Sequence, residues 1–326
     1  MDALAVSNHL SVHPEANVVV SGLSSFSKPA KHWQSRTKTY RELRGFLSSG
    51  SGGTFLAWRP LQPNHAIERV RIVVRFQGEL TSKFIRKLAA DGEELRVTLG
   101  FTSKNLREGH KIDVSPAGVS LGNRGAELLG WDWQKLSPAN SPLETFLVEK
   151  QHLVYETAEY TRWGNFISRF EEVALPTLEA LIAVVDVAAV SLEYVDRFFF
   201  DGAPTEASPS GVLTGFLGVL PDNAENGQDL WHLHRGWFEA IAGEQLLINQ
   251  NFDAQDGALI SGEPVRSLQM LTKTELRPAS SEFDYSTLRP HLDSMHDRSN
   301  ALFRNVLTEE MQGRVGLTGG LDAGKK

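Results

Sequence analysis

The clearest alternation in the first half of the chain runs from Ala66 to Phe76. Val70, Ile72, Val74 and Phe76 fall on one face, and Arg69, Arg71 and Arg75 on the other. A period of two with a single apolar face describes a strand buried on one side only. The spacing then becomes helical over Leu80–Ala90, where Leu80, Phe84, Ile85 and Leu88 mark one side. Asp91-Gly92 closes that helix, and Leu95–Phe101 reads as a further strand. Strands are also predicted at Asn17–Val20, Thr54–Trp58, Ile112–Leu121 and Leu143–Tyr155. The Trp-rich, Pro-containing stretch Trp131–Pro142 reads as a connection between the last two.

The second half opens with a long helix over Thr161–Val185, with Trp163, Phe166, Ile167 and Phe170 on one face. Pro176 should kink or divide it. Val187–Phe200 follows as a long strand, and Asp201–Gly211, rich in Pro, Ser and Gly, as a loop. Leu230–Ile241, Gln245–Asp253 and Arg266–Leu276 give three more strands, the first two joined by a tight turn at Ala242-Gly243. The last helix carries Leu288, Leu292, Met295, Ser299, Leu302 and Val306 at alternating steps of four and three, with Pro290 in its first turn. Strands surround a helix in each half, without regular βαβ alternation. The pattern predicts an α+β fold of mainly antiparallel sheets with two principal helices packed on them. It divides the chain into an N-terminal half (1–140), a C-terminal half (141–315) that resembles it in element content, and a disordered Gly-rich tail (316–326).

Composition narrows the function classes. The chain has 326 residues, no cysteine and a net charge of −7. Disulfides, thiolate nucleophiles and Cys-ligated zinc are excluded. The overall charge argues against a protein held to nucleic acid by global positive charge. Met1–Leu10 lacks the basic-then-apolar order of a signal peptide, and the most apolar stretch, Leu175–Val190, is interrupted by Glu179 and Asp186. These features predict a cytoplasmic location and no membrane partner.

Candidate chemistry is sparse. Gly319–Lys326 has the Gly and Lys spacing of a phosphate-binding loop but lacks the Ser or Thr after the Lys, the preceding strand and the following helix. His232 and His234 share one face of a strand and are weak metal candidates, with no third ligand to name. His291, Asp293, His296 and Asp297 crowd into the last helix, where a solvated helix face explains them equally well. The strongest hint is basic and aromatic. Lys28, Lys31, Arg36, Lys38, Arg41 and Arg44 lie close together with Trp33 and Tyr40. Arg69, Arg71 and Arg75 would extend that charge if their strand face is open. Such a set can neutralise phosphates while its rings stack on bases or cover apolar surface, which leaves nucleic acid, a nucleotide, an acidic protein partner and a plain solvated surface all open.

One stretch carries a resemblance. A Trp-containing helix (Trp163, Phe166) leads through an apolar run to Ser191-Leu192-Glu193-Tyr194-Val195-Asp196-Arg197-Phe198, and the chain closes on a helix with an L-x-x-x-H…F pattern followed by Leu307-Thr308-Glu309-Glu310. Over its C-terminal half the chain resembles a sporadically distributed bacterial family of uncharacterised proteins of about this size, whose members carry a Gly-Leu-Arg-Tyr-Ile-Asn-Arg-like strand. Glu193 stands where that family usually has Arg, and Asp196 where it has Asn. The patchy distribution implies mobile genes, and hence a context of host conflict or phage defence. The sequence therefore predicts a non-enzymatic binding or interaction protein with a protein partner and no cofactor, self-association being compatible with it. A nucleic-acid or nucleotide binder using the basic face is the first alternative, and a metal-dependent hydrolase the second.

Overall fold

The computed structural model describes residues 57–109, 112–115, 118–121, 127–214, 220, 224, 227, 229–241, 244–258, 263–278 and 284–317. Among the described residues the fold is α+β, built on a mainly antiparallel ten-stranded sheet with five helices. In chain order the elements are β1 (Ala57–Pro60), β2 (Ile67–Phe76), α1 (Ser82–Asp91), α2 (Glu93–Thr98), β3 (Ser103–Gly109), β4 (Ile112–Ser115), β5 (Gly118–Leu121), β6 (Glu127–Leu136), β7 (Pro142–Glu149) and β8 (His152–Thr157). They continue with α3 (Trp163–Ile182), β9 (Val187–Asp201), β10 (His232–Ile241), β11 (Glu244–Ala258), β12 (Pro264–Leu276), α4 (Tyr285–Val306) and α5 (Glu309–Arg314). The strand order is β10-β11-β12-β9-β2-β8-β7-β6-β3, with β1 pairing the end of β9, while β4 and β5 form a separate hairpin. The sheet runs unbroken past residues 140 and 141, because β6 and β7 on either side are paired.

The two faces of the sheet differ. On β9, the even-numbered Leu192, Tyr194 and Phe198 are buried in the apolar clusters that also take the buried residues of α1, α3, α4 and α5. Leu95 and Leu99 bring α2 and the residue after it against the same core. All described helices therefore lie on one side of the sheet, and the odd-numbered β9 residues from Ser191 to Phe199 look away from them.

Several local expectations are corrected. Residues 95–98 are helical, not extended. Glu93 and Glu94 occupy the first turn of α2, where the helix dipole favours negative charge, and Arg96 pairs with Glu93 at 2.7 Å. Gly92 joins the two helices because a Cβ there would lie 2.7 Å from the Trp133 ring. Trp131–Pro142 is no connection: Trp131 and Trp133 point to one face of β6, fully buried, with Phe146 of β7 5.4 and 5.3 Å from their ring centres. Ile112–Ser115 pairs antiparallel with Gly118–Leu121, and Pro142–Glu149 with His152–Thr157, so two strands stand where each single one was expected. Asp201–Gly211 contains two 3-10 turns, Pro204–Glu206 and Pro209–Gly211. Pro176 sits inside α3 without dividing it. Pro290 lies beyond the first turn of α4, because a capping box between Asp284 and Thr287 starts the helix at Tyr285. The six residues assigned to the inner face of α4, from Leu288 to Val306, are its buried residues.

Candidate functional site

The candidate site is the sheet face that the described helices leave uncovered. β2 alternates Val70, Ile72 and Val74 inward, so Arg69, Arg71 and Arg75 project together from the outer side. Register then aligns a row of charges across adjacent strands. Glu156 of β8 stands opposite Arg71 of β2, Arg71 opposite Glu193 of β9, and Glu193 opposite Lys273 of β12. Residues directly opposite on one face are the nearest cross-strand neighbours, and here their charges alternate in sign.

The pairs close with short contacts. Arg71 meets Glu193 at 2.5 Å, and Arg69 meets Glu156 at 3.3 Å. Lys273 reaches both Glu193 at 3.6 Å and Glu275 at 3.0 Å, and Glu275 also receives Arg75 at 3.0 Å and Arg277 at 3.1 Å. The layering is asymmetric. The Glu193 and Glu275 side chains are only 7% and 4% exposed, whereas those of Arg69, Arg71 and Arg75 are 44%, 35% and 50% exposed. Carboxylates form the lower layer and guanidinium groups the outer one. Burial of Glu275 opposes its ionisation, but the Lys273, Arg277 and Arg75 cations outweigh this and hold its pKa below the ordinary value.

The same face continues to both sides. Toward β3, buried Asp132 accepts from Arg107 at 2.9 Å and Asn105 at 3.0 Å, and Arg107 also meets Glu149 at 3.0 Å. His152 lies 2.8 Å from Glu149, whose pKa is lowered chiefly by that hydrogen bond. Toward β11, Arg197 is held by Glu68 at 2.7 Å and by Ser267 at 3.2 Å.

His232 and His234 both face outward on β10, the edge strand. His232 Nδ1 lies 2.5 Å from Asp253, and His234 bonds Asn251. Among the described residues no three His, Cys, Asp or Glu are grouped as metal ligands. Within the helix cluster, His296 and Asp293 are engaged by neighbouring side chains. The His296 ring stacks on Trp163 with centres 4.4 Å apart, its Nδ1 lies 2.8 Å from the Tyr194 hydroxyl, and burial lowers its pKa. Asp293 accepts from Trp163 Nε1 at 2.7 Å and from Arg289 at 3.1 Å. Lys28, Lys31, Trp33, Arg36, Lys38, Tyr40, Arg41 and Arg44 lie outside the described residues, as do the strand expected at Asn17–Val20 and the phosphate-loop lookalike.

Two further polar arrangements were not anticipated. A cavity of about 240 Å³ opens beside the start of α3, lined by Tyr155, Tyr160, Arg169 and Lys135 among others. On its wall, Glu144 accepts from the Tyr155 hydroxyl at 2.8 Å and from Arg169 at 2.8 Å. Asp196 is buried on the helix-covered side with Oδ1 unpartnered, and burial, aided by Glu68, pushes its pKa up to about 8. Alternation along Val187–Phe200 places Asp196 inward beside Tyr194, so its position was readable, but its proton was not.

No family model matches the chain, and no curated protein matches it. Among the described residues no helix is long and apolar enough to cross a membrane.

Proposed function

We propose that the chain is a non-enzymatic binding protein that offers the charged face of its sheet to a protein partner bearing acidic side chains. The observation that carries this reading is the layering of that face, with arginines outermost over buried carboxylates. A guanidinium has five N–H donors in a planar fork, and a buried carboxylate fixes its orientation while leaving donors for a second acceptor. Binding then costs less side-chain entropy than it would for free arginines. In this reading the chain is an accessory of a mobile-element or phage-defence system, the setting that its family resemblance implies.

The same arginines would also hold phosphates, which keeps nucleic acid as the second reading. Titration of the full chain with polyglutamate and with a mixed-sequence single-stranded oligonucleotide separates the two. The first reading expects polyglutamate to bind at low salt, to weaken as salt is added, and to lose several-fold in affinity in the Arg69→Gln/Arg75→Gln variant. Preference for the oligonucleotide, with a steep salt slope, would replace it by the second. Binding of neither probe removes both.

A further inference from the structure

We infer that β10 is a self-association edge, and that two copies of the chain pair antiparallel through it about a two-fold axis at Gly236. Backbone direction fixes which groups of β10 face the edge. The N–H of Ala254 bonds the carbonyl of Trp231 at 3.0 Å, and the pairing of β10 with β11 continues from there without a register shift. In an antiparallel ladder, hydrogen-bonded residues alternate along each strand. Leu233, Arg235, Trp237, Glu239 and Ile241 therefore turn their N–H and C=O groups toward β11. Those of His232, His234, Gly236, Phe238 and Ala240 point to the edge, where no described strand receives them.

That edge lacks the usual guards. An exposed edge strand is normally blunted by Lys, Pro, outward charge or short length. β3, the opposite edge, carries Lys104, Arg107 and Glu108 in a shorter strand. β10 contains neither Lys nor Pro. Its charged residues, Arg235 and Glu239, are turned to the helix-covered face, Arg235 over the Trp237 ring and Glu239 onto Arg298. The outward positions hold no Lys, Arg, Asp or Glu, all are exposed, and Phe238 is 55% exposed.

The occupant follows from self-complementarity. A two-fold interface requires the strand to suit itself, and pairing is restricted to registers that set edge-directed residues opposite one another. Centring on Gly236 uses nearly the whole strand. It sets glycine against glycine at the axis, His234 against Phe238 of the second copy, and His232 against Ala240 of the second copy. On the other face, Arg235 meets Trp237 of the second copy and Leu233 meets Glu239 of the second copy. No like charges oppose, and the absence of a Cβ at the axis lets the backbones approach. Each copy carries a net charge of −7, so added salt should strengthen this association. Binding of polyglutamate to the charged face has the opposite salt dependence, so each idea can fail without the other.

Sedimentation equilibrium of the full chain across concentration and salt provides the test. A dimer is expected, tightening as salt rises. Phe238→Lys should raise its dissociation constant at least about tenfold. Adding His234→Glu to Phe238→Lys should restore it, because the two-fold register places the new opposite charges together. Both positions are exposed, and melting curves of the variants verify folding. A monomeric parent, a dimer indifferent to Phe238→Lys, or a double variant that stays dissociated would each overturn the proposal.

Discussion

Asp196 shows how one side chain is decided by its surroundings. Its pKa of about 8, against an ordinary 3.8, means that the folded chain holds a proton between those pH values that the unfolded chain has released. Raising pH through that window therefore favours unfolding, and the penalty levels off above the folded value. A protonated carboxyl sets a donor beside a carbonyl acceptor, and a neutral amide of the same size does so without having to lose a proton. Asp196→Asn should melt higher than the parent at pH 7 to 8, by on the order of 1–4 kcal/mol at pH 7, with the gap closing toward pH 4. Parallel melting temperatures for the two proteins across that range would rule this account out. The shared face of Arg69, Arg71 and Arg75 was legible from alternation alone. Their carboxylate partners were not, since Glu156, Glu193 and Glu275 come from three other strands.

At the scale of elements, period and caps governed what could be read. α4 follows its four-and-three spacing throughout, but its start was missed because the cap pairs Asp284 with Thr287 instead of the commoner Glu or Gln. The Asp284 carboxylate accepts from the Thr287 N–H at 2.9 Å, and the Thr287 hydroxyl accepts from the Asp284 N–H at 3.2 Å. Asp284→Ala should lower the midpoint of denaturant unfolding; an unchanged midpoint would show that the cap is idle. α2 was misread because Leu95, Val97 and Leu99 alternate like a strand. Val97 is in fact exposed, while Leu95 and Leu99 pack together on the core one helical turn apart. Composition misled at β6, where tryptophans beside a Pro-containing stretch suggested a linker, although Trp131 and Trp133 already stood at strand spacing.

Across the whole molecule, the central seam is the pairing of β2 with β9, which joins N-terminal to C-terminal strands in one sheet. Arg71 and Glu193 clamp that seam, and removing the cation leaves a buried carboxylate short of its closest partner. Arg71→Met should cost about 2–4 kcal/mol, and Arg71→Met with Glu193→Met should recover most of it. A double variant as unstable as the single one would argue against the clamp. The sequence by itself determined the α+β class, the inner faces of the long helices and the strand positions of the arginines, because these depend on periodicities within one segment. Only the tertiary structure decided which strands are neighbours, and therefore which charges meet, which carboxylates are buried and which strand is left at the edge. Those outcomes depend on registers between residues more than a hundred positions apart, such as Arg71 and Glu193. No local pattern encodes such a register until the apolar faces have packed.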